Sequence, residues 1–291
     1  EALVTLRRAS LLRPNELLIA CKLANTHIDA GELLLAKDQL SDLLAKCPDV
    51  PELYLLRGMT YFQMGSDGEA EADLRVCLSL APGNYEALTA LGDILREHKQ
   101  LDKASHYIER AALIAPGAKD VLLAQGMLCL AKKDWKAAND FLAQRLALVP
   151  DDVLAALNRA AALVELGEAI PAINALEFAL GLGAREQWVH EMIGILFAHQ
   201  GQWQVALENL EMAVEKEPQN LNAWNVLIVA YDKAGLMEKA GQAAHKALEI
   251  NPEIFAIIEQ DMYGCPVDMP FPIAQRTREH IMAATRAARV K

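Results

Sequence analysis

Between residues 51 and 84 the chain reads PELYLLRGMTYFQMGSDGEAEADLRVCLSLAPGN, two apolar-rich stretches parted by glycine and polar residues. The pattern predicts two short helices and a turn, and it returns at one fixed spacing almost from end to end. A small residue sits in the middle of each first helix, at Ala24, Gly58, Gly92, Gly126, Ala160 and Gly194; each is 34 residues after the last, and Ile228 continues the series. An alanine inside each second helix keeps the same step through Ala36, Ala70, Ala104, Ala138, Ala172, Ala206 and Ala240. A proline closes each unit at Pro14, Pro48, Pro82, Pro116, Pro150, Pro218 and Pro252, with Ala184 in the one gap.

The columns have physical reasons. Glycine in mid-helix costs about 1 kcal/mol against alanine, which is tolerable where the missing side chain lets a partner helix approach. The alanine column is then the surface it meets. Gly31, Gly65, Gly167, Gly201 and Gly235 fall between the helices, where a left-handed cap favours glycine, and Lys99 and Lys133 occupy the same column. Each closing proline lacks an N–H and disfavours helix in the residue before it, so it stops the second helix.

These columns resemble the tetratricopeptide repeat. Its large residue, leucine–glycine pair and tyrosine stand as Tyr54, Gly58 and Tyr61, as Leu88, Leu91, Gly92 and Leu95, and as Trp224, Leu227 and Tyr231, and the likeness spans about residues 17–254. It implies an all-α, right-handed solenoid of about seven 34-residue helix–turn–helix repeats, with the first helix of each unit lining the concave face. Departures are Arg57 and Gln125 in the leucine column, His27 and Cys129 in the tyrosine column, and Arg145 in a small-residue column.

The seven units run 17–50, 51–84, 85–118, 119–152, 153–186, 187–220 and 221–254. Residues 1–16 read as the second helix of a truncated repeat, which suggests a piece of a longer protein. Two glycines and no proline at Gly181–Ala184 leave either a flexible joint or a different turn. Residues 255–291 read as a capping helix, a proline-containing linker and a basic last helix over 273–290. The segment 273–291 carries +4 within a chain of net charge −11, so the remainder carries −15.

That acidic balance argues against general nucleic-acid binding, which needs cationic surface. No apolar run reaches the ~18 residues of a membrane span. The five cysteines, Cys21, Cys47, Cys77, Cys129 and Cys265, show no metal-ligand spacing and read as structural thiols of a reducing, cytoplasmic compartment. No catalytic motif, cofactor fingerprint or histidine cluster appears, and the pair Asp151–Asp152 reads as helix-start charge.

The candidate chemistry is therefore the inner wall, and the reading is a non-catalytic scaffold that binds a protein or peptide there. The residues expected to carry it are Leu55, Met59, Phe62, Asp93, Leu123, Met127, Leu130, Asn158, Trp188, Met192, Ile195 and Asn225. Methionines and single aromatics suit a groove that accepts a helix, and the surrounding acids favour a basic, amphipathic one. Segment 273–290 has that character and is a candidate for docking within the chain or onto a second copy. Family members that grip a C-terminal carboxylate use lysines and asparagines at inner places; here those places carry Cys21, Asn25, Leu56, Glu86 and Ala90, and only Asn25 fits. An asparagine at the sixth place of each unit, another family mode, is met only by Asn158. Two other readings stay open: the repeat region of a larger enzyme such as a glycosyltransferase or sulfotransferase, and a self-assembling structural scaffold.

Overall fold

The structure, a computed structural model, describes residues 17–184 and 188–251. Among them are fourteen α-helices and no strand. They are α1 (Leu17–Asp29), α2 (Leu33–Lys46), α3 (Pro51–Gln63), α4 (Asp67–Leu80), α5 (Tyr85–Glu97), α6 (Leu101–Ile114) and α7 (Lys119–Ala131). Then follow α8 (Trp135–Leu148), α9 (Val153–Glu165), α10 (Ala169–Gly181), α11 (Trp188–His199), α12 (Trp203–Lys216), α13 (Leu221–Lys233) and α14 (Met237–Ile250). Odd-numbered helices are the first of each pair and even-numbered the second. The elements expected over 1–16 and beyond residue 251 lie outside the described residues.

Contacts divide the chain into two compact units, Glu1–Gly167 and Glu168–Lys291, so that α1–α9 belong to the first and α10–α14 to the second. Within each unit the paired helices pack together, and each second helix packs on the next first helix, as an α-solenoid does. All seven column alanines, from Ala36 to Ala240, are fully buried. Several first helices start on a side-chain cap: Asn84, Asp152 and Asn220 each accept the N–H three residues on, at 2.8, 3.0 and 3.0 Å. Asp152 thus has the helix-start role expected of its pair.

The turn between α5 and α6 is fixed by two hydrogen bonds, Lys99 N–H to Arg96 C=O at 2.9 Å and Gln100 N–H to Leu95 C=O at 2.8 Å. This closure forces a left-handed residue, and Lys99 adopts φ 59° and Lys133 φ 61° without being glycine. At Gly181–Ala184 the structure has a hydrogen-bonded turn. Gly183 N–H donates to Leu180 C=O and Ala184 N–H to Ala179 C=O, both at 2.9 Å, with Gly183 at φ 94°. The boundary between the units falls one helix earlier, at Gly167.

Two departures from the repeat pattern find partners. Arg145 donates to Asp152 at 2.8 Å and Asp120 at 3.2 Å, tying α8 to the starts of α7 and α9. Buried His27 meets Glu32 at 2.6 Å, across the turn from α1 to α2.

Candidate functional site

In the first unit successive first helices touch one another, so side chains at equal places in α3, α5, α7 and α9 form one wall. Met59 on α3 is 38% exposed, and Phe62 is half-buried against the core that α3, α4 and α5 build. Leu123, Met127 and Leu130 on α7 are half-buried. Leu55 is different. It is 5% exposed and packed in the core with Leu74, Cys77 and Leu91, so it offers no surface and leaves the candidate set. Ala124 and Leu157, also at inward places, are buried too. Asp93 on α5 pairs with Arg96 at 3.3 Å; burial pushes its carboxyl up, and Arg96 opposes the shift. Asn158 on α9 is tied to its own helix, its Nδ2 donating to Leu154 C=O at 2.8 Å.

An acidic edge borders this wall. Glu52, Glu86 and Asp120 stand exposed in the first turns of α3, α5 and α7. Their charges reach shared neighbours. The Cys77 thiol is pushed up to about 11 by burial, with Glu52 and then Glu86 adding to the shift. The Tyr85 phenol is raised by Glu86 first, then by burial and Asp120. The three carboxylates therefore line one side of the stack rather than scatter around it.

The second unit has its own wall. Trp188 on α11 is 38% exposed, Met192 is half-buried, and Ile195 packs against the unit's core. Glu191 between them is held by the next pair, accepting from Asn220 Nδ2 at 2.6 Å and from Asn222 Nδ2. On α13, Val226 and Val229 are 1% exposed and belong to the core, which leaves Asn225 as the half-exposed residue beside them. Asn225 Oδ1 is a buried acceptor without a hydrogen-bond partner. The expected site residues thus fall into two sets: Met59, Phe62, Asp93, Leu123, Met127, Leu130 and Asn158 in the first unit, and Trp188, Met192, Ile195 and Asn225 in the second.

His190 is a buried polar residue that the sequence columns did not single out. It takes the place held by Leu88, Leu122 and Trp224 in other pairs, is buried, and leaves Nδ1 without a partner. Burial lowers its pKa first and Lys216 adds to this, against a hydrogen bond with Asn209. A histidine whose folded pKa is depressed binds fewer protons folded than unfolded, so its contribution to stability is lost as pH falls below the ordinary histidine value. We predict that between about pH 7.5 and 5.5 the melting temperature falls more for the wild type than for His190→Leu. Equal losses, read by thermal melts at both ends, would contradict the assignment.

Among the described residues no group of three or more His, Cys, Asp or Glu is placed to hold a metal ion, and no helix is long and apolar enough to cross a membrane. Family models described as tetratricopeptide repeat match residues 51–84, 85–117 and 191–253. The chain is a tetratricopeptide-repeat protein. Anaphase-promoting complex subunit 3 of Schizosaccharomyces pombe is 25% identical over 166 residues, which is 57% of this tetratricopeptide-repeat chain and 25% of that one. Among solved structures, the Cut9–Hcn1 hetero-tetramer of the APC/C superposes with TM-score 0.64 at 17% identity, over 97% of this chain and 52% of that one. YrrB, described as a TPR protein with an unusual peptide-binding site, superposes with TM-score 0.59 at 18% identity, over 65% of this chain and 97% of that one. These likenesses establish the fold of the tetratricopeptide-repeat chain, which spans about half the length of the Cut9–Hcn1 chain and a quarter of the subunit 3 relative.

Proposed function

We propose that the chain is a non-catalytic scaffold that binds a protein segment on the walls of its odd-numbered helices. One observation carries the reading: Met59, Phe62, Leu123, Met127 and Leu130 keep apolar surface within reach along α3 and α7, beside the carboxylates of Glu52, Glu86 and Asp120. Thioethers repack around different shapes, and an acidic edge orients a cationic ligand, so the partner favoured is a basic, amphipathic helix. Trp188 and Met192 offer a second apolar contact in the second unit. The relatives support a protein partner: YrrB is described by its peptide-binding site, and the others are named as parts of a multi-subunit complex.

The test is selection of displayed random peptides against the immobilised chain. Enriched sequences are expected to be basic and helical by pattern. Phe62→Ala or Trp188→Ala should weaken a selected peptide by about 2 kcal/mol or more if the ring is a hot spot, while circular dichroism stays helical. Joint replacement of Glu52 and Glu86 by Gln and Asp120 by Asn should weaken it chiefly at low salt. Selected peptides that are acidic, or indifferent to all of these changes, would remove the proposal.

A further inference from the structure

The repeat lets one part of the chain serve as the reference for another. In the second unit Tyr231 of α13 donates its phenol hydroxyl to Glu211 Oε1 of α12 at 2.6 Å. Lys239 of α14 reaches the same oxygen at 3.2 Å and lies 5.3 Å from the centre of the tyrosine ring. Leu227 of α13 fills the core beside it, 1% exposed. Three repeat periods earlier, in the first unit, the acid is present as Glu109 of α6, but the other three places hold Cys129, Ala137 and Gln125. At those three places the phenol, the ammonium and the leucine are replaced, while the carboxylate that receives a phenol remains.

The structure shows what this leaves. A cleft of about 230 Å³ opens between α6, α7 and α8, with Ile108, Leu128 and Phe141 as apolar lining and Cys129 and Gln125 where the larger side chains are missing. At its polar end Ser105 Oγ donates to Glu109 Oε1 at 2.6 Å, and Lys132 Nζ donates to Ser105 Oγ at 2.7 Å. Among the described residues Glu109 makes no other hydrogen bond, so its second carboxylate oxygen is open to a donor. A cavity of ~150 Å³ is enough for a benzene ring. We infer that this cleft is a binding site for a phenol-sized aromatic alcohol, whose ring replaces the missing tyrosine and whose hydroxyl donates to Glu109. The ligand is either a free phenol or a tyrosine side chain presented by a partner. The cleft lies on the second-helix side of the first unit, away from the wall, so it stands or falls independently of the peptide reading.

Alkylation of Cys129 by iodoacetamide in the full chain, followed by mass spectrometry, reads occupancy directly because the thiol lines the cleft. With p-cresol at about ten times its Kd the modification should slow about tenfold. Protection by N-acetyltyrosine amide as well as cresol indicates a presented side chain, and protection by cresol alone a free phenol; either supports the site. Toluene should protect far less, and Glu109→Leu should erase cresol's advantage over toluene. Cys129→Tyr should refill the cleft and melt about 2–4 °C higher. Protection by neither phenol, equal protection by toluene, or a Cys129→Tyr variant that melts lower would each overturn the assignment.

Discussion

Gly92→Leu is expected to unfold or severely weaken the first unit. A Cβ built on Gly92 stands 2.5 Å from Ile108 Cγ1 and 3.1 Å from its Cδ1, with the Ala104 carbonyl oxygen at 3.5 Å. Ile108 is 1% exposed and Ala104 fully buried, so neither has free space to move into. A leucine there must push α5 and α6 apart, and each of them also packs on a neighbouring pair. Overpacking of a tight core costs about 1–3 kcal/mol for a few methylenes, and the clash here begins at the first carbon. Gly126 and Gly194 meet Leu142 and Leu210 in the same way, at 2.7 and 2.6 Å. Gly68→Leu is the control, since an added Cβ there meets nothing within 4 Å. Urea titration should show a large loss for Gly92→Leu and little or no loss for Gly68→Leu. Equal midpoints would refute the close approach of α5 and α6.

The second large effect is expected at Arg57. In a column that asks for leucine, its guanidinium donates from Nε and Nη2 to the two oxygens of Asp73 at 2.6 and 2.8 Å, and from Nη1 to Ser41 at 3.3 Å. The rings of Tyr54 and Tyr61 lie 6.0 and 5.8 Å from the charge. The side chains of Arg57 and Asp73 are only 20% and 9% exposed. Asp73→Ala therefore leaves a cation with little water and no counter-charge, and should cost about 3 kcal/mol. Arg57→Leu together with Asp73→Ala should cost clearly less than Asp73→Ala alone, because an apolar pair needs no compensation. A double variant no more stable than the Asp73 single variant would show that packing, not the ion pair, sets the loss.

The fold was legible because a period needs no coordinates. The alanines from Ala36 to Ala240 declare their role by recurring, and each is buried as the spacing demands. The walls were legible only in part. Place-counting puts Leu55 and Met59 on one face, yet Leu55 is core and Met59 open, because exposure depends on how deeply α5 settles against α3. Arg57 was visible as an exception, but its partner Asp73 lies on the other helix of its own pair, and nothing in the sequence marks that aspartate. The cleft at Cys129 needed two facts together: missing side chains, which the columns show, and space left unfilled, which only packing reveals. Lys99 and Lys133 carry a similar lesson. Hydrogen bonds of the turn fix the backbone, and the residue type follows only when selection is strict.

If first helices bind and second helices support them, a ligand should be felt on the first helices alone. Methionine provides internal reporters of both: Met59, Met127 and Met192 lie on the walls, while Met212 of α12 and Met237 of α14 are exposed, at 38% and 40%, on second helices. The decisive measurement is methionine-methyl NMR of the chain titrated with a selected basic peptide. The wall signals of Met59 and Met127 are expected to shift together with a peptide bound on the first unit's wall, and that of Met192 with one bound on the second unit's wall, while Met212 and Met237 stay in place. Shifts confined to Met212 and Met237 would contradict it.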